Sequence, residues 1–444
     1  MHQVSGSGNV NDTVREKTWA VFGQLTWAGE IAGRRANLLI GARYERTKSR
    51  STALQAVPTS VIWTADNDFF VQVPNETNTV TGRGGYSNLL PSVDFNIEVV
   101  RNVKARVSFG RTLARAPYGN LFATATVQQP PRPVALGGTG GGTAQNPALL
   151  PLVSDNFDAS IEWYYKPSSF VSVGFFDKRV RNFIGTGITN QNLFGLRDPS
   201  SGAAGTLSGT ALSQLRNGNF DQSDVNLFTY TALLVQNGGN VAAADATFRA
   251  NATGTTVNQQ FADAISGAVD ITAGANDPLL VLAVSQPLNN REGKIHGFEV
   301  AWTNFFGDTG FGFAASYTKV DGNVNVDPYA DPTINIFALT GLGDSANGTL
   351  IYDKNGLSAR IAYNWRAKYL QATNQGEGRN PLFTAAFGTL DANISYDINE
   401  NIALSLEAIN LTSESVRQYG RTKENLVFAQ ELKPRYLLGA RYRF

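Results

Sequence analysis

The chain has 444 residues, a net charge of +1, a charged fraction of 16%, no cysteine and two histidines, His2 and His296. That composition excludes disulfide scaffolds, Cys/His zinc centres and thiol catalysis, and the interspersed charges form neither a basic face for nucleic acid nor an acidic disordered tail. No apolar run approaches the roughly 18 residues of a membrane-spanning helix, and no linker or shift in composition cuts the chain into compact units.

The N-terminus, MHQVSGSGNVNDTVREK, lacks a basic segment followed by an apolar one, and no secretory signal is expected in it. Beyond it, strict two-residue alternation in segments of about ten residues predicts strands with two unlike faces. Trp19 and Trp27 share one face, about 26 Å apart along a strand and about 20 Å along a membrane normal once tilted. In RANLLIGARYERT, Ala36, Leu38, Ile40, Ala42 and Tyr44 oppose Asn37, Gly41, Arg43 and Glu45. A long connection near residues 48–86 follows, where TSVIWTADNDFFVQV could add strand pairing of its own. LPSVDFNIEV resumes the alternation, and the next connection, 114–154, holds the glycine run LGGTGGGT at 136–143. That run has neither the strand-to-helix context nor the following lysine of a phosphate loop, and reads as loop flexibility.

NFDASIEWYY alternates again before the longest connection, 186–292. His296 then shares a face with Phe298, Val300 and Trp302, so it supplies no general base for a hydrolase. In DGNVNVDPYADP, Asp321, Asn323, Asn325 and Asp327 stand at alternate positions like calcium ligands, but Val326 replaces the central glycine and an ordinary polar loop is the reading. In LSARIAYNWRAK, Leu357, Ala359, Ile361, Tyr363 and Trp365 oppose Ser358, Arg360, Asn364, Arg366 and Lys368. TLDANISYDI and NIALSLEAIN precede the last strand, RYLLGARYRF, where Tyr436, Leu438, Ala440, Tyr442 and Phe444 oppose Arg435, Arg441 and Arg443.

Alternation alone also fits a soluble sandwich with its apolar face in a core. Three features favour a transmembrane antiparallel β-barrel: strands long for a sandwich, aromatics at strand ends, and connections that alternate between short and long. Short turns fall at WAGEIAGRRA, EVVRNV, YYKPSS, FFGDTG, YDKNG and DINEN, and long connections also at 321–345, 371–386 and 412–433. The tally is about thirteen strands, whereas bacterial barrels close with an even number, so sequence is missing or the count is off by one.

The ordered set YSNLLPSVDFNIEVVRNVKARVSFGRTLARAPYGNL, NPALLPLVSDNFDASIEWYYKPSSFVSVGFFDKRVRNFI, GKIHGFEVAWTNFF, GLSARIAYNWRAKYL and TLDANISYDINENIALSLEAINLT, ending in RYLLGARYRF, resembles the barrel of TonB-dependent outer-membrane receptors. The resemblance covers most of the chain outside its long loops. It implies a barrel of about 22 strands, of which residues 1–444 are the C-terminal portion, and neither the family's plug domain nor its coupling motif is recognisable here. The terminal Phe444, with Tyr442, Ala440, Leu438 and Tyr436, resembles the signal read by the barrel-assembly machinery.

Arg43, Glu45, Arg360, Arg366 and Arg441 are expected to line the lumen, because charge facing lipid costs a few kcal/mol at mid-bilayer. The outer loops supply Trp63, Phe69, Phe70, Tyr118, Phe194, Arg197, Asp198 and Tyr329, groups of the kinds that grip sugars or chelates. No metal or cofactor is expected. The resemblance implies a receptor in the bacterial outer membrane for uptake of a scarce solute such as an oligosaccharide or iron chelate, its partners being lipid, solute and, given an upstream plug, the TonB energy-coupling complex. A passive pore and a surface adhesion barrel are the rivals; the first predicts uncoupled flux and the second none.

Overall fold

The computed structural model of the protein describes residues 12–329, 331, 337–375 and 380–444. Thirteen strands, each antiparallel to its chain neighbour, form one continuous sheet: β1 Thr13–Ile31, β2 Arg34–Gln55, β3 Asn78–Val100, β4 Val103–Ala114, β5 Leu152–Lys166, β6 Ser169–Gln191, β7 Leu282–Phe305, β8 Phe311–Gly322, β9 Ser345–Lys354, β10 Leu357–Arg366, β11 Phe387–Asp397, β12 Ile402–Ile409 and β13 Arg435–Tyr442. Thirteen is also the number the alternation predicts. Among the described residues β1 and β13 are not paired with each other.

Register converts alternation into faces. Directly opposed residues point the same way, so Trp27, Leu38, Phe95, Val107, Ala159, Phe175 and Phe298 form one row across seven strands. Leu25, Ile40, Val93 and Phe109 form the adjoining row. Most of these side chains are exposed, as are Trp19, Trp302, Leu350, Ile361, Leu404 and Leu406 farther along the same face. Such a band exceeds the patches a soluble monomer shows, and each large side chain gains roughly 1.5–3 kcal/mol when covered by apolar matter. This is the outward face of a membrane barrel.

The six short turns lie at one end and the six long connections at the other. Ala32 and Gly33, and Asn355 and Gly356, all have positive φ, the conformation in which a two-residue turn follows the right-handed twist of its strands. The long connections span residues 56–77, 115–151, 192–281, 323–344, 367–386 and 410–434. The widest is shorter than expected because β6 and β7 remain paired out to Gln191 and Leu282, past a bulge at Val180–Phe183.

Among the described residues, five of these connections carry secondary structure of their own. Ser60–Ala65 pairs with Asp68–Gln72 and with Ile271–Thr272, and a separate four-stranded sheet links Tyr369–Gln375 and Asn380–Thr384 with Val416–Gly420 and Leu426–Gln430. Within 192–281 lie helices α1 Leu207–Asn217, α2 Asp224–Gln236, α3 Val241–Ala250 and α4 Gln259–Ser266. Thr206, Ser223, Asn240 and Asn258 each accept a backbone N–H of the first turn, the bond that relieves an orphaned donor. The main buried core of the molecule is here, around Trp63, Leu215, Leu227, Phe228, Tyr230, Leu233, Leu234 and Phe248. The glycine run is likewise ordered: Gly140–Ala144 pairs with Ala125–Gln128 and, in parallel, with β7. A Cβ on Gly140 would meet Leu282 Cδ2 at 2.6 Å, so close packing rather than flexibility explains the glycine.

Candidate functional site at the loop-covered mouth of the barrel

On the face opposite the apolar band, alternation along β2 sets Arg43, Glu45, Thr47, Ser49 and Ser51 side by side. Glu45 is only 4% exposed. Arg43 Nε donates to its Oε2 at 3.1 Å, and Arg115, the first residue past β4, donates from Nη2 to its Oε1 at 3.1 Å. Arg115 Nε also stands 3.9 Å from Glu16 Oε2, which accepts from the Tyr118 hydroxyl at 3.4 Å. Two carboxylates and two guanidiniums therefore balance in charge. Because the side chains of Arg43 and Arg115 remain 44% and 39% exposed, both can anchor Glu45 and still offer N–H groups to an anion from the mouth.

The connection 115–151 lies across this polar face. Ser49 Oγ donates to Pro147 O at 3.2 Å, and a Cβ on Gly84 would fall 2.2 Å from that same oxygen. Gln55 brackets Ala125 by accepting from its N–H and donating to its carbonyl. At its other end Asn146 Nδ2 donates to Pro287 O at 3.0 Å, and Leu150 N donates to Asn289 Oδ1 at 2.8 Å. The segment thus reaches from β2 to β7 across the polar face of the strands between them.

The loop residues singled out from sequence do not converge. Trp63 is fully buried, stacked on Phe69 at 5.8 Å and edge-on to Phe228 at 5.3 Å, with its indole N–H given to Asp66 O. It holds the connections 56–77 and 192–281 together and has no free face for a solute, and Phe69 is buried with it. Phe194, at φ 60°, packs half-buried against the same core. Arg197 donates to Asp277 O, tying down the start of the helical unit. Asp198 is buried and accepts from Ser200 N and Oγ, each at 2.9 Å. Burial pushes its carboxyl above the ordinary range despite those bonds, and the charge of Asp277 adds to the rise. Burial raises the carboxyl of Asp277 too. Phe70, Tyr118 and Tyr329 stay exposed, Tyr329 the most at 84%.

Of the remaining charged positions, Arg360 and Arg366 share the polar face of β10, and Arg366 donates to Gly341 O while its guanidinium lies 3.9 Å from the Tyr369 ring centre. Arg441 stands 3.6 Å from Asp397 near the short-turn end. Tyr436, Leu438, Ala440 and Tyr442 oppose Ala408, Leu406, Leu404 and Ile402 on the apolar face, and Phe444 packs edge-on against Tyr442 at 5.4 Å. Asn323 and Asp327 are engaged by the backbone N–H groups of Lys294 and Tyr329, and among the described residues no cluster of His, Asp, Glu and Cys suits a metal ion. His2 lies outside the described residues. Sequence reasoning missed Glu16 and Arg115. Glu16 was legible, since strict alternation from Trp19 and Trp27 puts it on the polar face, but Arg115 lies beyond the last alternating residue of β4.

The family pattern described as TonB dependent receptor-like, beta-barrel matches residues 3–411. The chain belongs to this family of bacterial outer-membrane receptors. The fold agrees with solved members. The ferric-catecholate import receptor Fiu from E. coli K12 matches with a TM-score of 0.53 and 11% identity, over 98% of this chain and 45% of that one. The siderophore receptor PirA from Acinetobacter baumannii matches with a TM-score of 0.50 and 11% identity, over 97% of this chain and 55% of that one. The chain thus spans about half the length of these receptors. Among curated proteins no sequence match is found. At such identity the likeness concerns the fold alone, and TonB-dependent receptors are transport receptors rather than enzymes.

Proposed function

We propose that this receptor barrel serves TonB-coupled uptake of a scarce anionic solute, of the iron-chelate class, across the bacterial outer membrane. Its C-terminal barrel region acts in a receptor whose plug gates the lumen and couples to the inner-membrane energy complex. The family match over residues 3–411 carries this reading. The half-exposed guanidiniums of Arg43 and Arg115, facing inward at a loop-covered mouth, support the anionic character of the solute. Siderophore and ferric-catecholate receptors among the solved relatives support the chelate class over an oligosaccharide.

The test is uptake of a labelled ferric catecholate by cells with and without the receptor, each with and without a protonophore. Coupled uptake disappears in the deletion strain and under the protonophore. Receptor-dependent uptake that survives the protonophore would instead indicate a passive pore, and unchanged uptake a surface role without flux. Arg115→Gln keeps a donor toward Glu45 but removes one charge. It is expected to raise the half-saturating concentration roughly tenfold, about the worth of one charge-assisted hydrogen bond.

A further inference from the structure

We propose that the outward face of β1–β3, immediately beyond the apolar band, docks phosphate groups of the outer-leaflet lipid around the barrel. The proposal rests on insertion of the barrel in an outer membrane and not on which solute it imports. Three rows carry it. Arg15, Arg50 and Arg83 stand directly opposite one another on neighbouring strands; Lys17 opposes Lys48 in the next row; and Trp19 opposes Arg46 in the third. All six cations are exposed, and the outward positions around them are Thr13, Thr52, Thr81, Gly85 and Ser87, none of them acidic. Among the described residues none of the six enters an ion pair.

Like charges directly opposite across a strand pair repel, so this arrangement is unfavourable by itself. The same outward face is neutralised a few strands away. Next to the apolar band on β4–β7, Asp155 takes Arg111 at 2.5 Å and Arg181 at 2.7 Å, and Asp177 takes Lys294 at 2.9 Å and Arg179 at 3.2 Å. The β1–β3 patch therefore awaits anions from outside the chain. Its position selects their source: Trp19 and Tyr44 pack edge-on at 6.2 Å at its lower border, with Val21, Leu25 and Ile40 beyond them on the outward face. A partner must then bear phosphates above and acyl chains below. Guanidinium and ammonium groups supply charge-assisted donors for the former, and the aromatic pair suits the boundary between the two.

The test uses the complete receptor purified in non-ionic detergent and incubated with bisphosphorylated lipid A, with the same lipid after dephosphorylation, and with inorganic phosphate. Bound molecules are counted by native mass spectrometry. Wild-type receptor is expected to retain the bisphosphorylated lipid, and R46Q/K48Q/R50Q to lose it by roughly fivefold per cation. D155N/D177N, which leaves Arg111, Arg179, Arg181 and Lys294 without carboxylate partners on the same face, should retain more of the bisphosphorylated lipid than wild type, and no gain there would also overturn the proposal. Should the triple variant fail to show the heat-modifiable gel migration of a folded barrel, the single variant K48Q reports the same loss at one-cation scale. Equal retention by folded wild type and variant, equal retention of the dephosphorylated lipid, or binding of inorganic phosphate alone would each overturn the proposal.

Discussion

Asp198 shows how a residue can be found for one reason and kept for another. Its place in a long loop beside Arg197 suggests ligand contact, but its carboxylate is turned inward on Ser200. Because the folded-state pKa is raised, the folded protein holds this proton more tightly than the unfolded chain. The helical unit is therefore most stable below the ordinary carboxylate pKa, and loses stability as pH rises through the interval up to the raised value. Asp198→Asn keeps an acceptor for Ser200 and should remove that part of the slope, read as the pH dependence of thermal unfolding. A profile unchanged in the variant would place the titration elsewhere. Gly84 makes a second point at this scale, since its missing side chain admits Pro147. Gly84→Val should lift the segment 115–151 from the polar face, detected as new protease cleavage within it while the barrel keeps its folded gel migration.

At the scale of elements, the strands were legible and the helices were not. A strand between lipid and a polar lumen has two unlike faces, so alternation persists along it, as Leu357–Trp365 against Ser358–Arg366 illustrates. Helix α2 has no such contrast. Residues Asn226 to Leu234 are all buried, with Thr229 and Thr231 among them, and a helix covered on every side presents no apolar stripe to read. Its cap was the readable signal, a serine before Asp224. Replacing Ser223 by alanine should cost the helical unit about 1 kcal/mol, seen as a lower denaturation midpoint for this unit with the barrel transition unmoved. Equal shifts in both would mean that the barrel and the canopy formed by its folded long connections unfold together.

For the whole molecule, the separation of canopy from barrel is the property to test. Trp63 joins two connections that are distant in sequence, and Trp63→Ala removes a fully buried indole, a change that costs roughly 3–5 kcal/mol. Proteolysis should then enter 56–77 and 192–281 in the variant while the thirteen-stranded sheet resists. Digestion of the sheet at the same rate would refute that independence. By itself the sequence determined the strand number, the apolar and polar faces, the six turns and the family resemblance, because each is a local pattern repeated along the chain. Only the tertiary structure decided that Glu45 meets Arg115, that Trp63 is core rather than contact, and that six cations gather on the outward face of β1–β3. Each of these depends on which strands become neighbours and in what register, information held by pairs of residues far apart in the chain.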